Sequence, residues 1–335
     1  SLVGVLAAVG IGGAFGYTGQ RLLIEGEPFT NVLADYDSFT GGSAVDPDAV
    51  LQPFDLRLDS FEPEYTFTDG AWRPLDYDAN MSVREPGGDW SPATIKINSP
   101  LEIAGSQVYL LGNGFAPIIT VRDADGLEVF HGAVPFIAQD ANLGSTGVIK
   151  VPDGLSDQLG MQGFFYPDAY ALDSGALASF SPILTDNATL TLFVYRGDLG
   201  LGDGSGGNVY TLDTTDMEQL AGREDALALQ IGDTLDLPDG MGTIELEGVA
   251  EYVGLDIHRD PAQGWVLAFA LAAVFGLLTS LFIPRRRMWI KAVPAADGVT
   301  LEYAGLARGE DPTLAAAVAE LARAHSEALE RRMPS

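Results

Sequence analysis

Imidazole is the side chain in this sequence best suited to holding a metal or a cofactor, and there are three: His131, His258 and His325. Cysteine is absent, which excludes disulfides, a thiol nucleophile and a covalent thioether to a cofactor on this chain. Three scattered histidines argue against a multi-histidine metal site within one domain. His258 stands in YVGLDIHRDPAQGW, seven residues before Trp265. An imidazole placed there can serve as an axial ligand to haem iron. The competing reading is an interfacial histidine hydrogen-bonded to Asp260 or to water. His131, within EVFHGAVPF, reads as an outward strand position, and His325 reads as a surface residue with no assigned role.

Other chemistries find little support. With 47 acidic residues, paired carboxylates arise by chance, and a solvated acidic surface accounts for them. Serines are common, yet no G-x-S-x-G and no Ser-His-Asp grouping stands out. The glycine clusters GFAPII and GLGDGSGG lack the strand and helix context of a Walker or dinucleotide loop. DGSGGN lacks the ligand spacing of a dedicated calcium loop. A net charge of −29 disfavours nucleic acid, whose phosphates demand basic residues. The residues thus assign no catalytic group and no metal site.

The elements that must position these residues begin with residues 265–283, WVLAFALAAVFGLLTSLFI, nineteen positions without a charge. As a helix this run spans ~28 Å, close to the thickness of a bilayer's hydrocarbon core. Trp265 and Trp289 flank it, Pro284 closes it, and Arg285, Arg286 and Arg287 follow. Basic residues stay on the cytoplasmic side, so these three arginines orient the span with everything before it outside. The charge agrees: eight basic and seven acidic residues occur from Pro284 onward, against ten and forty before it. At the other end, residues 1–17 are apolar and glycine-rich, with no charge before Arg21. Without a basic n-region this stretch is a poor signal peptide, and it reads as part of a longer span that begins upstream.

The expectation is a membrane protein with a large, mainly-β extracytoplasmic domain between two transmembrane helices and a short α/β cytoplasmic tail. Its parts are a truncated transmembrane helix over 1–17, the β-rich domain over 18–263, a second transmembrane helix over 264–283 and the tail over 284–335. The domain is long enough for two packed lobes. ATIKI (93–97), QVYLL (107–111), PIITVRD (117–123) and LEVFHG (127–132) read as separate strands divided by Gly, Asn and Asp turns. ATLTLFVYRG (188–197) and TIELEGVAEYVGLDI (243–257) continue the pattern, with Asp239-Gly240 as a hairpin turn. TTDMEQLAG is the best short helix, and residues 197–208 read as a flexible acidic loop. In the tail, MWIKAVP and GVTLEYAGL pair as a hairpin, and a helix follows with Asp311 as N-cap and Pro312 at its first position.

Several stretches together resemble the ResB (CcsB) family of system II cytochrome c biogenesis proteins. These are GQRLLIEGEPFTNVLADYDSFTGG, INSPLEIAGSQVYLLGNGFAPIITVRDADG, VPFIAQDANLGSTGVIKVPD, VYRGDLGL, VYTLDTTDM, YVGLDIHRDPAQGW and RRRMWIKA, which run in order along nearly the whole chain. The likeness is strongest to the actinobacterial branch. The resemblance implies three spans, a large extracytoplasmic domain and a fourth span in a bacterial plasma membrane, with this chain beginning inside the third. It implies one half of a haem-lyase complex whose partner is a ResC/CcsA-type membrane protein. Together the two carry haem to the outer membrane face and attach it to apocytochrome c, so haem would be handled by the complex rather than held by this chain alone. It offers no catalytic group, so the chain alone is not evidently an enzyme. The residues it points to as a partner platform are Asn98, Pro100, Leu101, Tyr109, Gly112, Gly114 and Pro117, with the glycines also open to a turn-forming role. The alternative is a membrane-tethered binding or adhesion domain with no haem role.

Overall fold

A computed structural model describes residues 1–46, 50–201, 210–282, 286–296, 298–307 and 309–331. The chain opens with helix α1 (Leu2–Phe15), then strands β1 (Tyr17–Ile24), β2 (Pro28–Thr30), β3 (Ser38–Gly41), β4 (Asp55–Thr68), β5 (Ala71–Arg84) and β6 (Ser91–Lys96). It continues through β7 (Leu101–Ile103), β8 (Ser106–Arg122), β9 (Glu128–Ala133), β10 (Ile137–Ala138), β11 (Ser145–Val151), β12 (Leu159–Tyr166), β13 (Ala169–Ala171) and β14 (Leu177–Ser179). Next come β15 (Thr189–Arg196), β16 (Glu218–Ala221), β17 (Leu227–Gln230), β18 (Thr234–Asp236) and β19 (Thr243–Arg259). Helix α2 (Gln263–Phe282), β20 (Arg286–Ala295), β21 (Gly298–Ala307) and helix α3 (Leu314–Glu330) complete it. The fold is mainly β. Packing divides the chain into two units, Gly12–Pro261 and a second made of Ser1–Ile11 with Ala262–Ser335.

The first unit is built on two seventeen-residue strands, β8 and β19, which pair antiparallel from Thr243 opposite Arg122 to His258 opposite Gln107. They are central in a seven-stranded sheet ordered β3-β1-β19-β8-β7, with β18 added to β19 and β9 to β8. One face of this sheet is apolar toward both ends, with Glu251 and Asn113 between, and two bulges keep the apolar residues on it. Glu247 is the extra residue in β19 and Leu111 the extra residue in β8. Each bulge shifts side-chain parity by one. Even positions Ile244 and Leu246 are therefore buried before Glu247, and odd positions Val253, Leu255 and Ile257 after it. In β8 the buried set changes from Val108 to Phe115, Ile119 and Val121.

Two cores form on that face. Near the Tyr17–Arg259 pair, where the chain enters and leaves the unit, the four-stranded sheet β2-β4-β5-β6 contributes Phe29, Phe54, Leu56, Leu58, Ala79, Met81 and Ile95. At the far end the six-stranded sheet β10-β11-β12-β15-β16, with β17, contributes Ile149, Leu159, Met161, Leu190, Leu192 and Val194. The two cores are strung along shared strands within one unit. A polar seam borders them. Glu251, opposite Phe115, is pushed up to about 7, first by burial and then by Glu25. Glu25 itself accepts from the Phe61 amide at 2.9 Å, and Asn113 donates to the Tyr65 hydroxyl at 3.3 Å.

Several local expectations are corrected. Residues 107–111 and 117–123 belong to one strand, because the Gly-Asn-Gly between them is spanned by pairing to β19 rather than turned. TTDMEQLAG forms no helix; Glu218–Ala221 is strand β16, paired to β15. Hydrophobic pairing at the sheet edge outweighs helix propensity there. Asp125-Gly126 and Asp239-Gly240 do turn the chain, with Gly126, Asp239 and Gly240 at positive φ. The acidic loop at 197–208 falls largely on 202–209, outside the described residues.

In the second unit, Gln263–Leu281 is long and apolar enough to cross a membrane, with mean hydropathy 2.1 and none of it buried. Leu2–Phe15 is apolar but shorter, and Tyr17 already belongs to β1, so one helix of spanning length is seen among the described residues where two were expected. Gly4 allows close packing: a Cβ there would lie 2.7 Å from the Phe269 ring. The expected β20–β21 hairpin is present in full. Helix α3 begins at Leu314, not at Pro312, and Thr313 occupies the N-cap without a side-chain cap. Asp311 instead accepts from the Thr313 amide at 3.0 Å and pairs with Arg286 at 2.6 Å. The expected stop at Pro284, and Arg285, lie outside the described residues.

Candidate functional site on the open sheet face

The face of the seven-stranded sheet turned away from the cores carries the polar chemistry. His258, Asp256 and Gly254 follow one another on β19, while Thr18, Gln20 and Leu22 oppose them on β1 and Gln107, Tyr109 and Gly112 on β8. Alternation places all nine on one side. His258 Nδ1 and Thr18 Oγ1 are hydrogen-bonded at 3.1 Å, which fixes the ring and leaves Nε2 for another partner. Tyr109 donates to Gln107 Oε1 at 2.7 Å. Asp256 lies between these pairs; its Oδ1 is buried without a hydrogen-bond partner. Burial raises its carboxyl, and His258 partly opposes this. A pocket of about 330 Å³ adjoins His258 and Arg259, walled by Gly12, Gly16, Gly41 and Gly42.

Further along the same face, a cleft of about 840 Å³ is floored by Leu22, Gly112, Tyr252 and Gly254 and closed on one side by Ile137 and Ala138. A second chamber of about 430 Å³ shares Arg21, Leu22, Asp37 and Tyr210 with it. The Arg21 guanidinium pairs with Asp37 at 3.3 Å, and its Nε is buried without a partner. Tyr252 donates to the Phe136 carbonyl at 2.9 Å, and burial pushes its hydroxyl up to about 12. The rings of Tyr36 and Tyr210 also line the cleft, both hydroxyls raised chiefly by burial. The cleft therefore offers apolar and phenolic walls with one guanidinium, itself paired to Asp37.

The sequence-derived residues separate into groups. His258, Tyr109 and Gly112 share the open face. Gly112 has nothing within 4 Å of a Cβ position, whereas a Cβ at Gly114 would lie 2.5 Å from the Tyr252 hydroxyl. Neither glycine shapes a turn; Gly114 is needed for close approach of a ring. Pro117 is buried opposite Val249. Asn98 does make a turn, at φ 61 between Lys96 and Ser99, and Pro100 and Leu101 follow it onto the sheet edge at β7. Arg286 is neutralised by Asp311, and Arg287 stands on β20. Among the other histidines, His131 is outward on β9 and bonded to Thr120 at 2.8 Å. His325 is bonded to Tyr303 at 2.7 Å, so it ties the tail together rather than standing free. Thr18, Gln107, Asp256, Arg21, Asp37 and Tyr252 escaped the sequence reading. The alternation in GLDIHR and SQVYLL marked the face, but not which strands would lie beside it.

A family model described as the ResB-like family matches residues 1–319. The chain belongs to the ResB family. This is the family that the ordered motifs resemble, and it is associated with membranes and with cytochrome c biogenesis. A comparison with curated proteins found no match.

Haem is the cofactor this ResB-like membership raises. His258 supplies one imidazole, but its neighbours Thr18, Gln107 and Asp256 are polar, and its pocket is small and glycine-walled. The larger cleft has apolar walls and no histidine or methionine among its lining residues. No group of three His, Asp or Glu suited to a metal occurs among the described residues. The described residues do not fit a haem held by this chain by itself.

Proposed function

We propose that the chain is the ResB half of a cytochrome c assembly complex. With a ResC/CcsA-type membrane partner it supports haem delivery to the outer face of a bacterial plasma membrane and attachment to apocytochrome c. In this reading Gln263–Phe282 spans the bilayer, Gly12–Pro261 lies outside and the β20–β21 tail lies inside. The apolar, unburied helix and the basic residues after it support that orientation. The chain works within a haem-lyase complex, and no catalytic role is assigned to it on its own.

One observation carries the reading furthest: His258, Tyr109 and Gly112, from distant parts of the sequence, meet on one uncovered sheet face beside a cleft. His258 lies at the end of that face where Tyr17 pairs with Arg259, next to both chain connections. A partner seated there can complete a haem site to which His258 gives one ligand, while the cleft meets polypeptide. A tethered adhesion domain gives no reason for an oriented imidazole at that end.

The test uses the full-length protein co-purified with its partner. His258→Ala should lower haem occupancy, with added imidazole restoring it, while Tyr109→Ala should lower cytochrome c yield at equal protein abundance. Wild-type occupancy, spectrum and yield in both variants would overturn the proposal.

A further inference from the structure

One face of the tail hairpin is partly covered by α3, with Met288, Ile290 and Val299 on it still exposed, and the other face is bare. Helix α3 packs over the face that carries Tyr303 and Gly305. A Cβ at Gly305 would lie 2.6 Å from Val318, and Tyr303 bonds to His325. Arg286, on the same side, is tied to Asp311. The opposite face is set by the pairs Arg287 with Leu306, Trp289 with Ala304 and Lys291 with Glu302. Trp289 is 48% exposed and Leu306 59%. Among the described residues, neither Arg287 nor Lys291 makes an ion pair within 4 Å.

We infer that this bare face docks on the anionic headgroups of the bilayer, with Trp289 and Leu306 seated at the interface and Arg287 and Lys291 on lipid phosphates. The inference rests on the reading of α2 as a membrane span. Four residue steps separate Phe282 from Arg286, a reach of at most about 14 Å, so β20 starts in or close beside the headgroup region. Tryptophan prefers that depth, and basic residues beside it are drawn to anionic lipid. The two arginines thus divide their work: Arg286 holds α3 to the hairpin, and Arg287 faces lipid. Glu302 shares the bare face and opposes docking, so the balance of charge is one positive.

The experiment exploits the absence of cysteine. The full chain, carrying a single spin label, is placed in nanodiscs of phosphatidylcholine alone or with phosphatidylglycerol. A label at Ala304→Cys should become shielded from a water-soluble relaxation agent when phosphatidylglycerol is present. Arg287→Gln and Lys291→Gln should each lower the docked-to-free ratio roughly fivefold, and Glu302→Gln should raise it. A label at Ser326→Cys, on α3, should stay accessible throughout. A label at Ala272→Cys, within α2, reports on the underlying reading. If Ala272 is buried in lipid while Ala304 stays equally wet in both compositions, docking is overturned and the span stands. Shielding of Ser326 in place of Ala304 also overturns docking. If Ala272 is itself wet, the span and the docking both fall.

Discussion

The two cores that share β8 and β19 are held in different ways. The core near the chain entrance is aromatic and wired by polar contacts. Phe29 and Tyr36 stack edge-on at 5.2 Å, Tyr17 and Phe39 stack at 5.5 Å, and Phe54 is fully enclosed. The Tyr17 hydroxyl meets Ser106 at 2.9 Å, and buried Asn31 takes a bond from Tyr36 and gives one to the Gln52 carbonyl. The far core has more aliphatic members, among them Ile149, Val151, Leu159, Leu190, Leu192 and Val194, packed around Phe115, Phe136 and Phe165. Directional contacts hold one side chain to one place, whereas aliphatic packing is satisfied by volume. The end that carries His258 on its reverse face is thus the end specified most tightly.

The largest effect tests whether the cores are independent. Phe54→Ala near the entrance and Leu192→Ala in the far core should each cost about 3–5 kcal/mol. Because both cores rest on the same two strands, each variant should shift a single unfolding transition in a denaturant titration. Two separated transitions would break the picture of shared strands.

The seam gives the next effect, and its sign is fixed. Folded Glu251 keeps its proton to about pH 7, against 4.5 for an ordinary carboxyl, because burial and Glu25 oppose its charge. The folded state binds more protons between these values, so stability falls as pH rises from about 4.5 to 7. The full shift corresponds to about 3 kcal/mol. Glu251→Gln should remove this slope and stabilise the protein at pH 8, as read by denaturant midpoints across pH. An unchanged slope would take Glu251 out of the seam's energetics.

The smallest effect sharpens the contrast itself. Leu190→Met in the far core should cost less than about 1.5 kcal/mol. Asn31→Ala should cost about 1–3 kcal/mol, because Tyr36 and the Gln52 carbonyl lose their partner. Equal costs in thermal unfolding would erase the difference between the two ends.

Much of this fold was readable where local rules dominate. The β-rich middle, the Asp125-Gly126 turn, the tail hairpin and the long apolar helix each follow from alternation, turn chemistry or length. The Gly112–Gly114 stretch misled, because a bulge at Leu111 and pairing to β19 carry the strand through residues that otherwise signal a turn. TTDMEQLAG misled because an available sheet edge decides its state. Of the candidate site, Tyr109, Gly112 and His258 were legible as residues, but their meeting was not. It depends on register between strands some 150 residues apart, and no local pattern encodes that. Asp256 and Thr18 matter only through that register.

The position of β19 also sets an order of events during synthesis. It is the last strand of its unit to leave the ribosome, yet it sits between β1 and β8, the partners that need it most. Until β19 is made, β1 has no route to the main sheet and neither core is complete. Helix α2 follows within four residues. Completion of the fold and delivery of the apolar helix therefore fall at nearly the same moment, and a pause just before residue 243 would leave both cores open.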